Sequence, residues 1–191
     1  MITVQSITLN KEFSIPQNWL KKANFGDKVR IIVKEGEIRL LSISGNIYWH
    51  NIGFNEQYWW EYLKTNQIIT ANFTNQAGDE GEKLLTSYHQ GDTIIAYASS
   101  FGAIGWGMIT KDSSYQLIST DSSENIKNGQ HLHRLKIEWQ CVADKIEDAI
   151  TAGDILNKFN IHHPIPTSVR ISDNEKAELL IQELENKFNS I

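Results

Sequence analysis

The sequence predicts an α+β fold built in two units. Three features carry that expectation. Period-two alternation marks strands, as in residues 28–34, where Val29, Ile31 and Val33 face one way while Lys28, Arg30 and Lys34 mostly face the other. Apolar stripes at helical spacing mark residues 55–66, with Trp59 and Leu63, and residues 173–189, with Ala177, Leu180, Ile181, Leu184 and Phe188. Ser44-Gly45-Asn46 supplies a junction between the two units.

In chain order, Ser6-Ile7-Thr8-Leu9 and Phe13-Ser14-Ile15 are short β-prone runs around a polar Asn10-Lys11-Glu12 turn. Pro16 sets the first turn of a helix over 17–23, which Asn24-Phe25-Gly26-Asp27 ends. Strand 28–34, a Glu35-Gly36 turn and a return strand over 37–43 complete a β-rich module spanning 1–44. The second unit opens with strand 47–50, in which Tyr48 and His50 share one face and Trp49 takes the other. Asn55 is expected to cap the aromatic helix 55–66. Residues 67–73 return as a strand, followed by the polar loop 74–82 and a helical piece over 83–88. Gly91-Asp92 turns into strand 93–99, and the small-residue turn Ser99-Ser100-Phe101-Gly102 leads to strand 103–111. Residues 112–130 are polar and read as one long loop. Residues 134–142 read as one strand, with Leu135, Ile137, Trp139 and Cys141 on the apolar face against Lys136, Glu138 and Gln140. Helical pieces over 144–150 and 154–159 precede an extended stretch at 162–166. Ser172 and Glu175 have the spacing of a capping box for the last helix.

Composition narrows the function. At 191 residues, 40 % apolar and 10 % aromatic, the chain can bury a real core. No run approaches the ~20 apolar residues of a membrane span, and the start lacks the basic-then-apolar pattern of a signal peptide. The single cysteine, Cys141, excludes an internal disulfide and sits on an apolar strand face, as a core residue would. A cytoplasmic, reducing location without membrane contact is therefore expected. The net charge of −5 is uneven: residues 1–45 carry seven Lys/Arg against four Asp/Glu, while 46–110 and 111–191 each carry −4. Phosphate contact, if made, is expected from the amino-terminal segment, and few phosphates would be neutralised. His131 and His133, and the adjacent His162 and His163, come without the cysteines or carboxylates of a zinc site, so neither metal nor cofactor is expected. Gly102, Gly105 and Gly107 alternate as a strand does, and no Lys-Ser/Thr follows to make a phosphate loop. No catalytic constellation is present, and a non-enzymatic role is expected.

Two resemblances add to this reading. Phe13-Ser14-Ile15-Pro16, Trp19-Leu20, Phe25-Gly26-Asp27-Lys28-Val29 and the hairpin with Leu40 resemble the swapped-hairpin family typified by AbrB and SpoVT-like regulators. That resemblance implies a homodimer through the amino-terminal module, with Lys11, Lys28 and Arg30 as candidate contacts to a nucleic-acid backbone. Gln17 and Asn18 stand where that family usually carries a basic residue. Residues 47–142 resemble the EVE domain, a relative of the YTH domain in the PUA-like superfamily. The carrying residues are Ile47-Tyr48-Trp49-His50-Asn51, Ile69-Thr70-Ala71-Asn72-Phe73, Gln90-Gly91-Asp92-Thr93-Ile94-Ile95-Ala96-Tyr97, Ile104-Gly105-Trp106-Gly107-Met108-Ile109 and His133-Arg134-Leu135-Lys136-Ile137. This implies a PUA-like small mixed β-barrel with flanking helices over 45–165, with a carboxy-terminal helix in 166–191. It also implies a pocket for a modified or flipped nucleobase, in DNA first and in RNA as the alternative. The chain could then be the specificity part of a modification-dependent restriction system.

A flipped base needs flat apolar faces and a few fixed polar groups. Trp49, Trp59, Trp60, Phe73, Phe101 and Trp106 are the candidate walls, and Asn51, Asn72, Ser99 and the backbone around Ser100 are the candidate edge readers. At most three or four of the aromatics can line one pocket, so the rest belong to a core. Asn72-Phe73 stands where the YTH relatives carry a cage tryptophan. A dimeric regulator or antitoxin driven by residues 1–43 is the competing reading.

Overall fold

The computed structural model describes residues 18, 29–34, 37–42 and 45–188. The chain divides into two compact units, Met1–Ser44 and Gly45–Ile191. In the first, β1 (Val29–Lys34) pairs antiparallel with β2 (Glu37–Ser42), in register from Val29 opposite Ser42 to Lys34 opposite Glu37. The expected 17–23 helix, the strands before it, and Lys11 and Lys28 lie outside the described residues.

The second unit is α+β, with two sheets. One has the order β10-β3-β5-β6-β9, and the other β4-β8-β7. Its strands are β3 (Ile47–Asn51), β4 (Ile68–Ala71), β5 (Thr93–Ala98), β6 (Gly102–Met108), β7 (Tyr115–Leu117), β8 (His133–Lys136), β9 (Glu138–Val142) and β10 (Ser168–Arg170). The helices are α1 (Gln57–Asn66), α2 (Glu80–Thr86), α3 (Ala152–Phe159) and α4 (Asn174–Lys187). β3 and β5 run parallel, and the other pairs are antiparallel. β5 and β6 are buried along their whole length, which is why they read as continuous apolar and small-residue runs. Gly102 is required at its position. Its φ is +138°, and a Cβ there would lie 2.0 Å from the Ile150 carbonyl oxygen, where Ala103 bridges Ile150.

Several elements differ from expectation, each for a visible reason. The 134–142 run is two strands. At Ile137 the chain leaves β4 and joins β6, and the Ile137 N–H donates to the Gln67 carbonyl at 2.9 Å. Alternation continues through that switch, so the sequence shows no break. Gln140 is buried too, so both faces of β9 are covered. Asn55 does not cap α1: Glu56 holds the cap position without a side-chain bond, and its carboxylate reaches Lys127 at 3.2 Å. Asp79 caps α2 and so starts it three residues early. Asp173, not Ser172, caps α4 by accepting from the Lys176 N–H. Only a 3-10 turn, Ile146–Asp148, forms in the 144–150 stretch. β7 and β10 were not foreseen, being three residues each with partners far along the chain.

The tryptophans settle into this framework. Trp49, Trp59, Trp60 and Trp106 are each 1 % exposed or less. The Trp59 Nε1–H donates to the Ile52 carbonyl and the Trp60 Nε1–H to the Ala143 carbonyl, both at 2.8 Å. Trp60 and Trp139 meet edge to face at 5.5 Å. Indoles whose faces and N–H groups are used up in this way hold the fold together. Trp59 and Trp106, two of the candidate walls, are buried and line neither of the two cavities described below.

Candidate functional site

A cavity of about 340 Å³ opens where β3 ends, lined by Asn51, Gly53, Phe54, Asn72, His131 and Ile165, with Gln130 and Thr167. Small-molecule sites typically span ~300–1,000 Å³. Four separate segments supply this lining. β3 delivers Asn51 at its last position. The pairing of β4 with β8, which sets Ala71 opposite His133, brings Asn72 and His131 side by side just beyond the ladder. The Asn51 N–H bond to the Thr167 carbonyl at 2.8 Å holds Thr167 at the rim.

The polar groups are pre-set. Asn51 donates through Nδ2 to the Ser99 hydroxyl at 2.8 Å and accepts through Oδ1 from the Gly53 N–H at 3.0 Å. That second bond closes an Asx turn. Asn72 accepts through Oδ1 from Asn75 Nδ2 at 2.9 Å and from the His131 N–H at 3.4 Å. Phe54 is gripped from several sides. It meets Trp59 edge to face at 5.9 Å and tilts against His131 at 5.0 Å, while the Lys127 ammonium lies 3.8 Å from its ring centre. Lys127 is itself buried and bonded to the Tyr58 hydroxyl.

Behind the cavity runs a buried polar chain. His131 Nδ1 lies 2.8 Å from the Thr70 hydroxyl. His50 Nε2–H donates to the Thr70 carbonyl at 2.9 Å. That fixes the neutral ring's bare Nδ1 toward the Tyr88 hydroxyl at 3.0 Å, and Tyr88 and Ser168 hydroxyls lie 2.6 Å apart. Burial lowers the pKa of His50 from 6.5 to about 4, against a smaller opposing pull from the Thr70 carbonyl. Burial likewise lowers His131 to about 4, aided by repulsion from His50, Lys127 and Arg134. Both rings are neutral at pH 7, so His131 offers the cavity an uncharged aromatic surface.

Of the residues singled out from sequence, Asn51 and Asn72 line this cavity. Ser99 touches it through Asn51, and Trp59 backs Phe54 and His131 without reaching the lining. Trp49 lines a different cavity, described below. Phe73 is 42 % exposed, and it, Ser100 and Phe101 are not part of the lining. Ser100 holds φ +69° in the β5–β6 turn. Arg30 lies on β1 in the other unit. Sequence reasoning missed Phe54, His131, Ile165 and Thr167. The one local signal was Gly53 beside Phe54. Its φ is +86°, and a Cβ there would lie 2.4 Å from the His131 ring. Gly53→Ala is therefore expected to destabilise the fold by roughly 1–3 kcal/mol, read as a lower urea midpoint, and to displace His131.

Among the described residues no group of three or more His, Cys, Asp and Glu could hold a metal, and no helix is long and apolar enough to cross a membrane.

No protein-family model matches the chain, and no curated protein matches it. Among solved structures, it is similar to the Mmi1 YTH domain, at a TM-score of 0.49 and 12 % identity over 82 % of this chain and 97 % of that one. It is also similar to the YTH domain of the Zygosaccharomyces rouxii MRB1 protein, solved in complex with N6-methyladenosine RNA, at 0.49 and 13 % over 81 % and 95 %. Protein PSPTO5229 from Pseudomonas syringae overlaps at 0.41 and 14 % over 72 % and 99 %. The overlap is loose, and what those domains bind says nothing of this chain.

Proposed function

We propose that the chain is a non-catalytic recognition protein of the cytoplasm that receives a modified nucleobase in the Asn51–Phe54–His131 cavity. The observation that carries this reading is the meeting, in one open cavity of about 340 Å³, of two fixed amide side chains with a clamped phenyl ring and a neutral imidazole. A base held there trades the stacking it has lost for Phe54 and His131, and presents its edge to Asn51 and Asn72. A methyl group buried with it adds about 0.8 kcal/mol, roughly a fourfold preference.

The polymer is an unpaired strand. Flipping a base out of a duplex costs a few kcal/mol, which proteins offset with phosphate contacts. Among the described residues the cavity lining carries no Lys or Arg, and residues 46–191 sum to −8. Recognition of duplex DNA, and with it the restriction role, would need the amino-terminal unit to supply the phosphate grip. The test is an anisotropy titration with hexamers of RNA, single-stranded DNA and duplex DNA, each with and without N6-methyladenine or 5-methylcytosine. The expected result is at least a fourfold preference for one modified single strand. Equal binding of all modified and unmodified hexamers refutes the reading. If one phosphate is neutralised, raising salt from 50 to 200 mM should weaken binding less than about threefold. A much steeper loss would place the contact on the basic amino-terminal segment.

The dimer reading keeps one observation of its own. Ile31 and Ile38 are 52 % and 44 % exposed on the β1–β2 hairpin, apolar area of the kind that partners cover. A second copy would cover them. The whole chain should then sediment as a dimer, and Ile31→Lys should shift it to monomer; a monomeric parent chain sinks this reading.

A further inference from the structure

A second cavity, about 370 Å³, lies beside the first, with Trp49, Pro164, Val169, Arg170 and Ile171 in its lining. Ile165 lines both cavities. It is 91 % exposed, the most exposed of the large apolar side chains among the described residues. Trp49 and Asn51 stand two residues apart on β3, so they share a face and are separated by about 6.6 Å along the strand. Val169 pairs directly with Trp49 across the β10–β3 ladder. The two cavities are thus adjacent, with one bare isoleucine common to their linings.

The second cavity has the surfaces a base needs. Its walls are largely apolar, and the rim carries Arg170, exposed on the edge strand, and His163, whose ring lies parallel to Tyr97 at 6.1 Å. In its wall Trp49 is 1 % exposed, and its Nε1–H has no hydrogen-bond partner among the described residues. Buried indole N–H groups nearly always find an acceptor.

We infer that this cavity is a subsite for the nucleobase adjacent to the modified one, with Ile165 standing as a wedge between the two bases. The inference rests on the reading of the first cavity. Two neighbouring bases seated in the two cavities would have to part around Ile165, which both linings share. An exposed apolar side chain between them is the device by which proteins part base steps. Arg170 is placed to meet a phosphate or stack on a base face at the outer rim.

The experiment uses the whole chain and the tightest-binding modified hexamer of the panel above, remade with an abasic sugar on the 5′ or the 3′ side of the modified base. One of the two abasic hexamers is expected to bind about 5- to 100-fold more weakly, the loss of one stacked base, and the other to bind within twofold of the parent. In Ile165→Ser, whose side chain is almost wholly in solvent, the sensitive abasic substitution should cost less than twofold. If both abasic hexamers bind as the parent does while the modified base is still preferred, the subsite is refuted and the first cavity stands. If no hexamer shows a preference for its modified base, both readings fall together.

Discussion

Between pH 6.5 and pH 4 the folded chain should lose several kcal/mol of stability, with His50 and His131 as the cause. Both are buried and neutral in the fold, with pKa values near 4, whereas in the unfolded chain they titrate near 6.5. Above pH 6.5 both rings are neutral in both states. As the pH falls below 6.5 the unfolded chain takes up protons that the fold refuses, and the equilibrium moves toward unfolding. The loss is complete only below pH 4, where the folded rings protonate too. Each shift corresponds to about 3 kcal/mol. The two do not add in full, because both rings lean on Thr70. A domain stable by ~5–15 kcal/mol would be brought close to its acid transition. Asp79 adds little in this window. Burial works against its charge, but bonds from the Glu82 N–H, Thr74, His133 and the Gly81 N–H hold its pKa below the usual carboxylate range. Its contribution is thus lost only at lower pH still. Urea midpoints at pH 7, 5.5 and 4.5 check the fall. Imidazole NMR signals of the folded chain should show neither ring titrating above pH 5. A flat stability profile, or a folded-state pKa near 6.5 for either ring, contradicts this account.

Phe54→Ala is expected to weaken binding of the modified hexamer by about 10- to 100-fold while leaving a folded protein. Base–aromatic stacking contributes ~1–3 kcal/mol per base, and Phe54 is the only phenyl ring among the described residues of the cavity lining. It is only partly buried, and its neighbours have other partners. Trp59 keeps its bond to Ile52 and its stacked contact with Tyr62 at 5.6 Å, and Lys127 keeps Glu56 and Tyr58. Circular dichroism should therefore match the parent. Phe54→Tyr preserves the ring and should recover most of the affinity. If Phe54→Ala binds as the parent does, the phenyl face is not where the base rests.

Much of the fold was legible because alternation and helical stripes record burial directly. Val29, Ile31 and Val33, or Leu180, Ile181 and Leu184, announce their element without help from distant residues. The Gly91-Asp92 turn was readable for a similar reason: Asp92 accepts from the Asn46 and His89 N–H groups at 2.8 Å, fixing the entry to β5. The site was legible only in its amides. Asn51 and Asn72 stood out as polar residues at the ends of apolar strands. Phe54, His131 and Ile165 carry no such mark, because their meeting depends on β10 crossing back to β3 and on β4 pairing with β8. Trp59 and Trp60 stood out without lining either cavity, for a physical reason. An indole has the same composition whether its face meets a guest or a neighbour, and here the faces of Trp59 and Trp60 meet neighbours.

The location of the site is tested most directly by side-chain NMR during titration with the best modified hexamer. The Asn51 and Asn72 amide signals and the His131 ring are predicted to shift together with bound fraction, while the indole N–H signals of Trp60 and Trp106 stay in place. Shifts gathered on β1 and β2 instead, with the two amides and His131 unmoved, would show that binding happens elsewhere and that this cavity is not the receptor for a base.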